Sequence, residues 1–405
     1  MSGKRDRLIN INLARVLRLV WQKKETTRIE IAQSLGLHKS TITNIVNDII
    51  GRGIVFESAT GSSGPQGGRK PIFLMLNKNY GCAAGLEVQP SYWRLVIINL
   101  DGEILTEHVS RDRISAGNLL NVLGGALRYL NARVKKLKTR LLGVGIGSSG
   151  IMNPDRGEIL QSIPLQIREP FSLAAPLSEA SGVPVHVDND ANCCAWGELV
   201  FNKSKQLDNF LSVLLEIREE ELERKMPGGL AVGLGIVING KVHYGSTYSA
   251  GEFRSVFSQR TDISQFSLTP RELLKMNTDR PVFRRFVSEL ADNIALLVNA
   301  LNLSHVYLSV ANVSFKDEII PALRERIADK FPYRILRECE VAFATFEERA
   351  VAYGAAGFIL EQIFAPSEIP VAGDEYGLLK ATPPDILSEP GGPIQSSGTQ
   401  QIVRR

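Results

Sequence analysis

The sequence of 405 residues predicts an α/β protein in which an N-terminal winged helix-turn-helix precedes a two-lobed body. Two observations carry this prediction. The first 80 residues contain three amphipathic helical stretches, followed by a strand, a glycine-rich loop and a second strand. From residue 81, short strands alternate with helices, and the same order of strands then helices runs twice. A repeated α/β order predicts two similar halves with a ligand-binding cleft between them.

Three helices of the N-terminal region have local signals. Residues 12–22 place their apolar side chains on one helical face. The second helix begins with a capping box formed by Thr27 and Glu30, and it ends near Gly36. The third helix, KSTITNIVNDII, buries an apolar stripe and leaves a polar face of short hydrogen-bonding side chains. That face consists of Lys39, Ser40, Thr41, Thr43, Asn44 and Asn47.

The charge distribution indicates what this polar face contacts. The first 80 residues carry 13 Lys and Arg against 5 Asp and Glu, a net charge of +8, whereas the remainder carries −4. A basic region on a mildly acidic body suits a nucleic acid partner. Short polar side chains on a helix suit base edges in the major groove, and a wing in residues 53–76 suits phosphates. The predicted DNA-binding residues are Lys39, Ser40, Thr41, Thr43, Asn44, Arg69 and Lys70. A three-helix bundle with a solvated polar face is the alternative.

The body follows with strands and helices in a repeated order. Strands are predicted at 84–89, 93–100, 103–110, 141–147, 183–187, 210–217, 230–238, 241–245, 306–310 and 339–343. Helices are predicted at 117–136, 171–182, 282–303, 316–330 and 346–363. We divide the chain into the head at 1–80, lobe 1 at 81–195 with helix 346–363 returning to it, lobe 2 at 196–345, and a disordered Pro/Gly/Ser-rich tail at 365–405. The charged run EIREEELERK, residues 216–225, is expected to be a solvated insertion.

Composition excludes several classes of protein. The four cysteines form no C-x-x-C pair and two of them are adjacent, which predicts reduced thiols rather than disulfides or zinc ligands. No apolar run approaches the length of about 18 residues needed to span a bilayer, and the N-terminus lacks a signal-peptide core. A cytoplasmic protein without a membrane partner is expected.

The stretch VHVDNDANCCAWGE, residues 185–198, carries the chemistry of the body. Asp188, Asn189 and Asp190 follow an apolar strand and precede a helix. Carboxylates and amides at the carboxyl end of a strand can bind the hydroxyls of a polyol, and a carboxylate there can also act as a general base. Capping of the following helix explains one such residue but not three.

On these residues the chain resembles the ROK family (repressors, open reading frames and sugar kinases) over about residues 10–363. Asn189-Asp190-Ala191-Asn192 is similar to the family's N-D-A-N sugar motif, in which the Asp is the catalytic base of the kinases. Gly251-Glu252 is similar to its A-G-E motif, whose Glu binds sugar hydroxyls. The segments GGRKPIFLMLN and GVGIGSSGIMNPDRGEI also resemble the family. The resemblance implies an actin-like/ribonuclease-H-like ATPase fold, with Asn189, Asp190 and Glu252 binding a sugar.

The chain departs from the kinase pattern at its phosphate loops. The D-x-G-G-T loop is here Glu87-Val88-Gln89-Pro90-Ser91, and the G-T-G-x-G-G-G loop has Leu230 in place of its Thr. The later G-G-G loop reads Ser309-Val310-Ala311-Asn312, the His of A-G-E-x-G-H is Ser255, and the zinc cluster is missing. Pro90 has no N–H and Leu230 has no hydroxyl to donate to a phosphate. Two lost contacts would cost roughly 5–8 kcal/mol of barrier, judged from oxyanion-hole variants of another enzyme.

The sequence therefore predicts a sugar-responsive DNA-binding regulator, a repressor without kinase activity and without a cofactor. Its expected partners are a double-stranded DNA operator, a monosaccharide or sugar derivative, and further copies of itself in a homodimer or dimer of dimers. Two alternatives stay open. The cleft could bind no sugar and answer to a protein partner, or the protein could be an active sugar kinase with a DNA-binding head. Without the zinc cluster, residues 252–270 are expected to form a looser loop.

Overall fold

The computed structural model describes residues 2–58, 71–202, 205, 207–218, 222–223, 229–258, 264–333 and 338–364, with the side chains of residues 2–10 left aside. Arg69, Lys70 and the predicted tail at 365–405 lie outside these residues. Within them, no helix is long and apolar enough to cross a membrane. The chain forms an N-terminal head, defined here as residues 2–76, and two α/β lobes.

The head contains three helices and a small antiparallel sheet. The helices are α1 (Ser2–Lys23), α2 (Arg28–Leu35) and α3 (Lys39–Gly51), and the strands are β1 (Glu25–Thr27), β2 (Val55–Ser58) and β3 (Phe73–Leu76). The sheet has the order β1-β3-β2. The predicted capping box is present, because the Thr27 side chain accepts from Glu30 N and Glu30 accepts from Thr27 N. Gly36 ends α2 in the left-handed conformation, as glycine without a Cβ does readily.

Lobe 1 is built on a five-stranded mixed sheet. Its strands are β4 (Cys82–Gln89), β5 (Tyr92–Asn99), β6 (Ile104–Ser110), β7 (Leu141–Ser148) and β11 (Val185–Asn189), and its helices are α4 (Leu119–Leu137) and α5 (Ala174–Ser181). The order is β11-β7-β4-β5-β6, with β11, β7 and β4 parallel and β4, β5 and β6 antiparallel. A separate antiparallel sheet of β8 (Ile151–Asn153), β9 (Glu158–Gln161) and β10 (Phe171–Ser172) lies between β7 and α5 along the chain.

Lobe 2 repeats the plan of lobe 1. Its strands are β12 (Phe210–Ile217), β13 (Leu230–Ile238), β14 (Lys241–Val242), β15 (His305–Ala311) and β16 (Glu340–Phe343). Its helices are α7 (Pro270–Leu273), α8 (Arg280–Leu301) and α9 (Ile319–Asp329). The order β14-β13-β12-β15-β16 mirrors that of the first sheet, with β12, β15 and β16 parallel and β12, β13 and β14 antiparallel. Phe283, Phe286 and Leu290 of α8 pack in the core on this sheet.

Two helices, α6 (Asp190–Phe201) and α10 (Ala350–Phe364), connect the lobes. They pack against each other, while α10 also contacts β4 and β7 and α6 contacts β12 and β13. Glycine makes this close packing possible. A Cβ at Gly85 would lie 1.8 Å from Ala352 O, and one at Gly354 would lie 1.7 Å from Cys193 O. The predicted division between residues 195 and 196 falls inside α6, which is one continuous helix.

The head packs directly on lobe 1 and α10. The indole of Trp21 stacks on Phe364 at 4.7 Å between ring centroids, and its Nε1 donates to Leu100 O at 3.0 Å. Arg18 forms an ion pair of 2.6 Å with Glu361. Apolar residues of the three head helices and of lobe 1 belong to one buried cluster. The head and lobe 1 are therefore joined by a shared hydrophobic core.

Candidate functional site

A cavity of about 310 Å³ lies between the lobes and is called the cleft below. This volume is at the lower end of the range for small-molecule sites and suits a ligand of monosaccharide size. The carboxyl ends of β7, β11 and β12 contribute to its lining, as do the segment after β7 and the turn containing Glu252. Its polar lining consists of Ser149, Gln161, Asn189, Asp190, Glu216, Arg218, Glu252, Arg254, Ser264 and Gln265.

The structure brings the three sequence-predicted sugar residues, Asn189, Asp190 and Glu252, to this one cavity. They come from two places in the chain: β11 ends at Asn189 and α6 begins at Asp190, while Glu252 lies in a turn after β14. Asp190 and Glu252 are more than 60 residues apart in sequence, and the packing of α6 against β13 brings their elements together. Their detailed environments differ.

The side-chain amide of Asn189 hydrogen-bonds to the backbone through both its oxygen and its nitrogen. Its Oδ1 accepts from Ala191 N at 2.9 Å and Asn192 N at 3.3 Å, which caps α6. Its Nδ2 donates to Gly150 O at 2.9 Å and ties the start of α6 to the segment after β7. Asn189 is therefore an N-cap that lines the cleft, and one amide hydrogen remains for a ligand.

Asp190 is a buried carboxylate of the cleft with one hydrogen bond from the described residues. It is 5% exposed, and one oxygen accepts from Ala191 N at 2.9 Å. Burial raises the pKa of Asp190, the negative charge of Glu216 raises it further, and Arg218 opposes the shift. A buried carboxylate with a free oxygen in a cavity is well placed to accept from ligand hydroxyls, because such a bond compensates its desolvation.

The neighbouring Asp188 is bonded on all sides and does not line the cleft. Its Oδ1 accepts from Asn189 N and Asn192 Nδ2, at 2.8 and 3.0 Å. Its Oδ2 accepts from Trp196 Nε1 at 3.1 Å and from the hydroxyl of Tyr244 at 2.8 Å. Burial raises the pKa of Asp188 to about 6, and the four donors counteract that shift. Asp188 thus fastens α6 and lobe 2 to the end of β11.

Glu252 lies in a turn pressed against lobe 2. Gly251 precedes it with φ +93°, and a Cβ at Gly251 would lie 1.8 Å from Leu234 O. The side chain of Gln265 holds the segment, because it accepts from Val232 N at 2.8 Å and donates to Val232 O and Phe253 O at 2.9 and 3.0 Å. Partial burial raises the pKa of Glu252, although the side chain stays accessible from the cleft.

The segment around Gln265 is tied to lobe 2 by several hydrogen bonds. Ser255 N donates to Gln265 O at 2.9 Å, Asn293 Nδ2 donates to Ser255 Oγ at 3.1 Å, and Phe266 is buried in the lobe 2 core. These hydrogen bonds hold residues 252–258 and 264–270, whereas residues 259–263 of the same segment lie outside the described residues, so the expectation of a looser loop stays a prediction. Among the described residues, no group of three His, Cys, Asp or Glu could hold a metal ion.

Three side chains bond to one another between the lobes, and we call Gln89, Glu216 and Arg218 the bridging cluster. Gln89 Nε2 donates to Glu216 Oε1 at 3.1 Å, and Arg218 Nη2 donates to Gln89 Oε1 at 2.8 Å. Arg218 also forms an ion pair with Glu216. Gln89 ends β4 of lobe 1, whereas Glu216 and Arg218 lie at the end of β12 of lobe 2. The cluster therefore links the two lobes directly.

The expectation that residues 216–225 form a solvated insertion is wrong for their first three residues. Glu216 is 6% exposed, and both Glu216 and Arg218 line the cleft. Residues 219–221 and 224–225 lie outside the described part of the chain. The sequence offered little to identify Glu216, because its partner Gln89 is 127 residues away. Ser149, Gln161 and Gln265 also line the cleft and were not predicted.

A further carboxylate, Glu87, lies behind the bridging cluster. Its Oε1 accepts from the hydroxyl of Tyr92 at 2.6 Å, and its Oε2 lies 3.4 Å from Arg94 Nε. Burial raises the pKa of Glu87 to about 8, and the charges of Glu216 and Asp190 contribute. Several carboxylates thus surround this end of the cleft.

The polar face of α3 is accessible in the head. Lys39, Ser40, Thr43 and Asn44 are exposed, whereas Thr41 is half-buried. Thr43 Oγ1 donates to Lys39 O at 2.8 Å within the helix. Thr41 is half-buried because it lies beside Ile42, one of the buried apolar residues of α3.

The comparisons with known proteins agree with this architecture. Residues 83–254 match the family model described as ROK family. The xylose repressor of Caldicellulosiruptor bescii is 27% identical over 252 residues, which are 62% of this chain and 59% of the relative. The xylose repressor of Bacillus subtilis is 25% identical over 243 residues, 60% of this chain and 59% of the relative. The DNA-binding transcriptional dual regulator NagC of Escherichia coli is 25% identical over 252 residues, 62% of this chain and 58% of the relative.

The chain thus spans about three fifths of the length of these curated relatives. Among solved structures, a ROK family transcriptional regulator, a homolog of the E. coli MLC protein, matches with a TM-score of 0.70 and 20% identity. It covers 92% of this chain and 98% of that one. A ROK family glucokinase from Streptomyces griseus, in complex with glucose and AMPPNP, matches with a TM-score of 0.54 and 18% identity. It covers 69% and 99% of the two chains. These two likenesses show a mixed α/β fold that regulators and sugar kinases share.

Proposed function

Because residues 83–254 form a ROK family domain, we propose that this protein is a sugar-responsive, DNA-binding transcriptional regulator, a repressor of carbohydrate-metabolism genes. One observation carries the proposal. Asp190 lines the cleft with one carboxylate oxygen that has no protein partner among the described residues, whereas the bridging cluster bonds Gln89 to Glu216 and Arg218 at the strand ends where the sequence departs from the kinase pattern. The names of the similar proteins, xylose repressor and transcriptional dual regulator, support the same function.

The effector in this proposal is a monosaccharide or a sugar derivative bound by Asn189, Asp190 and Glu252. Asp190 and Glu252 accept from sugar hydroxyls, and the remaining amide hydrogen of Asn189 donates to one. Leu214, Leu230 and Phe253 supply apolar lining for the faces of a sugar ring. Sites of this kind bind small ligands through a few placed polar groups within a mostly apolar wall.

We further propose that the protein is not a kinase. Phosphoryl transfer depends on backbone N–H groups and cations that surround the phosphates. Here Pro90 has no N–H, Leu230 replaces a hydroxyl donor and is buried, and Val232 N is already bonded to Gln265. Arg218 is committed to Glu216 and Gln89. Asp190 could act as a base, but a base has no reaction to assist without a bound phosphoryl donor.

The head is proposed to be a winged helix-turn-helix, with α3 as the recognition helix in the major groove. The residues that would contact DNA are Lys39, Ser40, Thr41, Thr43, Asn44, Arg69 and Lys70. The domain division of the chain, with the head at 1–80 and lobes meeting in the region of α6, belongs to this proposal. So do the tail at 365–405 and a cytoplasmic location, where the DNA is.

Sugar binding is proposed to change DNA binding through a homodimer or a dimer of dimers. A ligand shifts an equilibrium only if it binds one arrangement of the lobes better than the other. A cleft lined by both lobes meets this requirement. Since the head shares a core with lobe 1, a change in the angle between the lobes would alter the spacing of two heads on DNA.

The test is fluorescence anisotropy of labelled DNA from upstream of the protein's own gene, titrated with protein in the presence of single monosaccharides and their phosphates. We expect tight DNA binding and a change in affinity with one sugar. Unchanged DNA binding with every sugar would contradict the effector half of the proposal and favour a protein partner. Release of ADP from ATP in the presence of a hexose, well above the buffer rate, would contradict the absence of kinase activity.

A further inference from the structure

A hydrogen bond joins the two walls of the cleft, and we call it the outer bond. On lobe 1, the sheet of β8 and β9 lines the cleft through Ile151 and Gln161, and the turn between these strands contains Asp155. On lobe 2, the segment after β14 contains Tyr248, four residues before the cleft residue Glu252. The hydroxyl of Tyr248 donates to Asp155 Oδ2 at 2.7 Å.

Each end of the outer bond is held firmly by its own lobe. In the turn between β8 and β9, a Cβ at Gly157 would lie 2.3 Å from Ala174 Cβ, so this turn packs closely on the start of α5. In the segment after β14, a Cβ at Gly251 would lie 1.8 Å from Leu234 O, so this segment packs closely on β13. Because each segment moves with its lobe, the length of the outer bond depends on the angle between the lobes.

The backbone of Tyr248 has a conformation that a bulky side chain rarely adopts. Its φ is +60°, in the left-handed region where a Cβ crowds the backbone. Such a conformation persists when other contacts of the residue hold it, and it is common in clamps and switch regions. The contacts of Tyr248 include the bond to Asp155 and an edge-on ring contact with Tyr244, with 6.4 Å between ring centroids. These side-chain contacts offset the cost of the backbone conformation.

Tyr244 makes an inner bond between the lobes. Its hydroxyl donates to Asp188 Oδ2 at 2.8 Å, and Asp188 also accepts from Asn192 and Trp196 of α6. Because α6 connects the lobes, the inner bond lies where they are joined, and a hinge motion there changes distances little. Asp155 instead belongs to the separate sheet of β8, β9 and β10. The outer bond is therefore the one that an opening of the lobes breaks.

We propose that the outer bond is a latch that holds the lobes in the arrangement seen in the structure, and that its loss lets the cleft open. The inference goes beyond the proposed function, because it concerns the two lobes and does not depend on which ligand the cleft binds. A hydroxyl bonded to a carboxylate is a charge-assisted hydrogen bond, so its loss shifts the balance between closed and open lobes. A ligand that contacts both walls would bind more tightly while the latch is intact.

Opening can be measured without a ligand, as the rate at which fluorescein maleimide labels a cysteine inside the cleft. Ser149→Cys provides this thiol, because Ser149 lines the cleft at 8% exposure and a bulky dye reaches it slowly. The change is made in a Cys339→Ser background, since Cys339 is half-buried, whereas Cys82, Cys193 and Cys194 are buried. The full chain carrying Cys339→Ser alone gives the background rate.

We expect Tyr248→Phe to raise the labelling rate of the cleft cysteine about fivefold, the factor that corresponds to the loss of one hydrogen bond of average net strength. Asp155→Ala should raise it by a similar factor. The double variant should label no faster than either single variant, because both changes remove the same bond. Tyr333→Phe is the matched control, since Tyr333 is an exposed lobe 2 tyrosine whose ring contacts Phe331, and it should leave the rate unchanged.

A wild-type labelling rate in Tyr248→Phe would overturn the latch. Additive effects of the two changes would overturn Asp155 as the partner of Tyr248. In protein that keeps Cys339 and Ser149, a faster rate at Cys339 in Tyr248→Phe would assign the effect to a loosened lobe 2 and would also overturn the latch. Because no sugar or DNA is present, failure of the proposed function would leave this result unchanged, and the two proposals can fail separately.

Discussion

The region of Asp190 and the bridging cluster differ in how fully their polar groups are bonded. At the end proposed to bind sugar, Asp190 keeps an oxygen without a protein partner among the described residues, at 5% exposure. At the bridging cluster, Gln89, Glu216 and Arg218 bond to one another across the lobes. An unsatisfied buried carboxylate lowers stability and favours a ligand, whereas a satisfied cluster stabilises the fold and leaves little for a ligand.

The adjacent residues Asp188 and Asp190 show the same difference at one strand end. Asp188 accepts from four donors and fastens neighbouring elements, whereas Asp190 accepts from one backbone N–H and lines the cavity. Two identical side chains, two positions apart, therefore have different environments, one structural and one that suits the proposed binding role. Residue type alone does not distinguish these roles, but the count of assigned hydrogen bonds does.

The largest expected effect comes from removing the negative charge of Asp190, at the end of the cleft proposed to bind sugar. Asp190→Asn should weaken sugar binding by at least about thirtyfold, because losing one partner of a buried charged hydrogen bond costs about 2 kcal/mol or more. The same change should raise the melting temperature of the ligand-free protein, since burial and Glu216 disfavour the Asp190 carboxylate. Calorimetric titration and thermal unfolding measure the two effects.

The control for this variant is Asp208→Asn, which changes an exposed carboxylate of lobe 2 that does not line the cleft. It should alter neither sugar affinity nor melting temperature. Retention of wild-type sugar affinity by Asp190→Asn would show that the ligand binds elsewhere.

A smaller effect on stability is expected from removing Gln89 from the bridging cluster. Gln89→Ala removes the partner of Glu216 and Arg218 across the lobes and should destabilise the protein by about 1–3 kcal/mol, the cost of unsatisfied buried polar groups. Chemical denaturation measures this change, with Gln33→Ala at an exposed position of α2 as the control. If Gln89→Ala instead conferred ATP binding, the bridging cluster would be a plug over an intact nucleotide site rather than its replacement.

A further expected effect concerns pH. Because the pKa of Glu87 is raised to about 8 in the folded protein, the folded state holds a proton that the unfolded state releases near pH 4.5. Stability is therefore predicted to fall as pH rises from about 4.5 through about 8. Tyr92 and Arg94 offset part of the charge penalty. Thermal unfolding at a series of pH values should show this decline, and Glu87→Gln should make it shallower; an equal slope in the variant would assign the decline to other carboxylates.

Much of the fold follows from local sequence signals. The capping box of Thr27 and Glu30 is confirmed, and β12 and β13 begin and end at the predicted residues. Local signals did not predict the sheet of β8, β9 and β10, because its strands have only two to four residues. They also missed β1 and the N-terminal extension of α1 to Ser2.

The residues of the candidate site could be predicted only where they belong to a recognisable sequence motif. Asn189, Asp190 and Glu252 were found through residue types at strand ends and a family resemblance, and all three line the cleft. Glu216 was assigned to a solvated run because its neighbours along the chain are charged. Its role depends on Gln89, a partner that only the packing of the two lobes brings within 3.1 Å. Such tertiary pairs have no periodicity for a single sequence to display.

The contact of Trp21 with Phe364 and Leu100 has a consequence for engineering and for descent. A DNA-binding module joined by a loose tether can be exchanged between proteins, because few contacts cross the junction. Here the indole, the Arg18–Glu361 ion pair and a common apolar cluster form the junction. We expect a head grafted from another protein to pack here only together with its own version of α10. The head and the body are therefore expected to be exchangeable only as one unit.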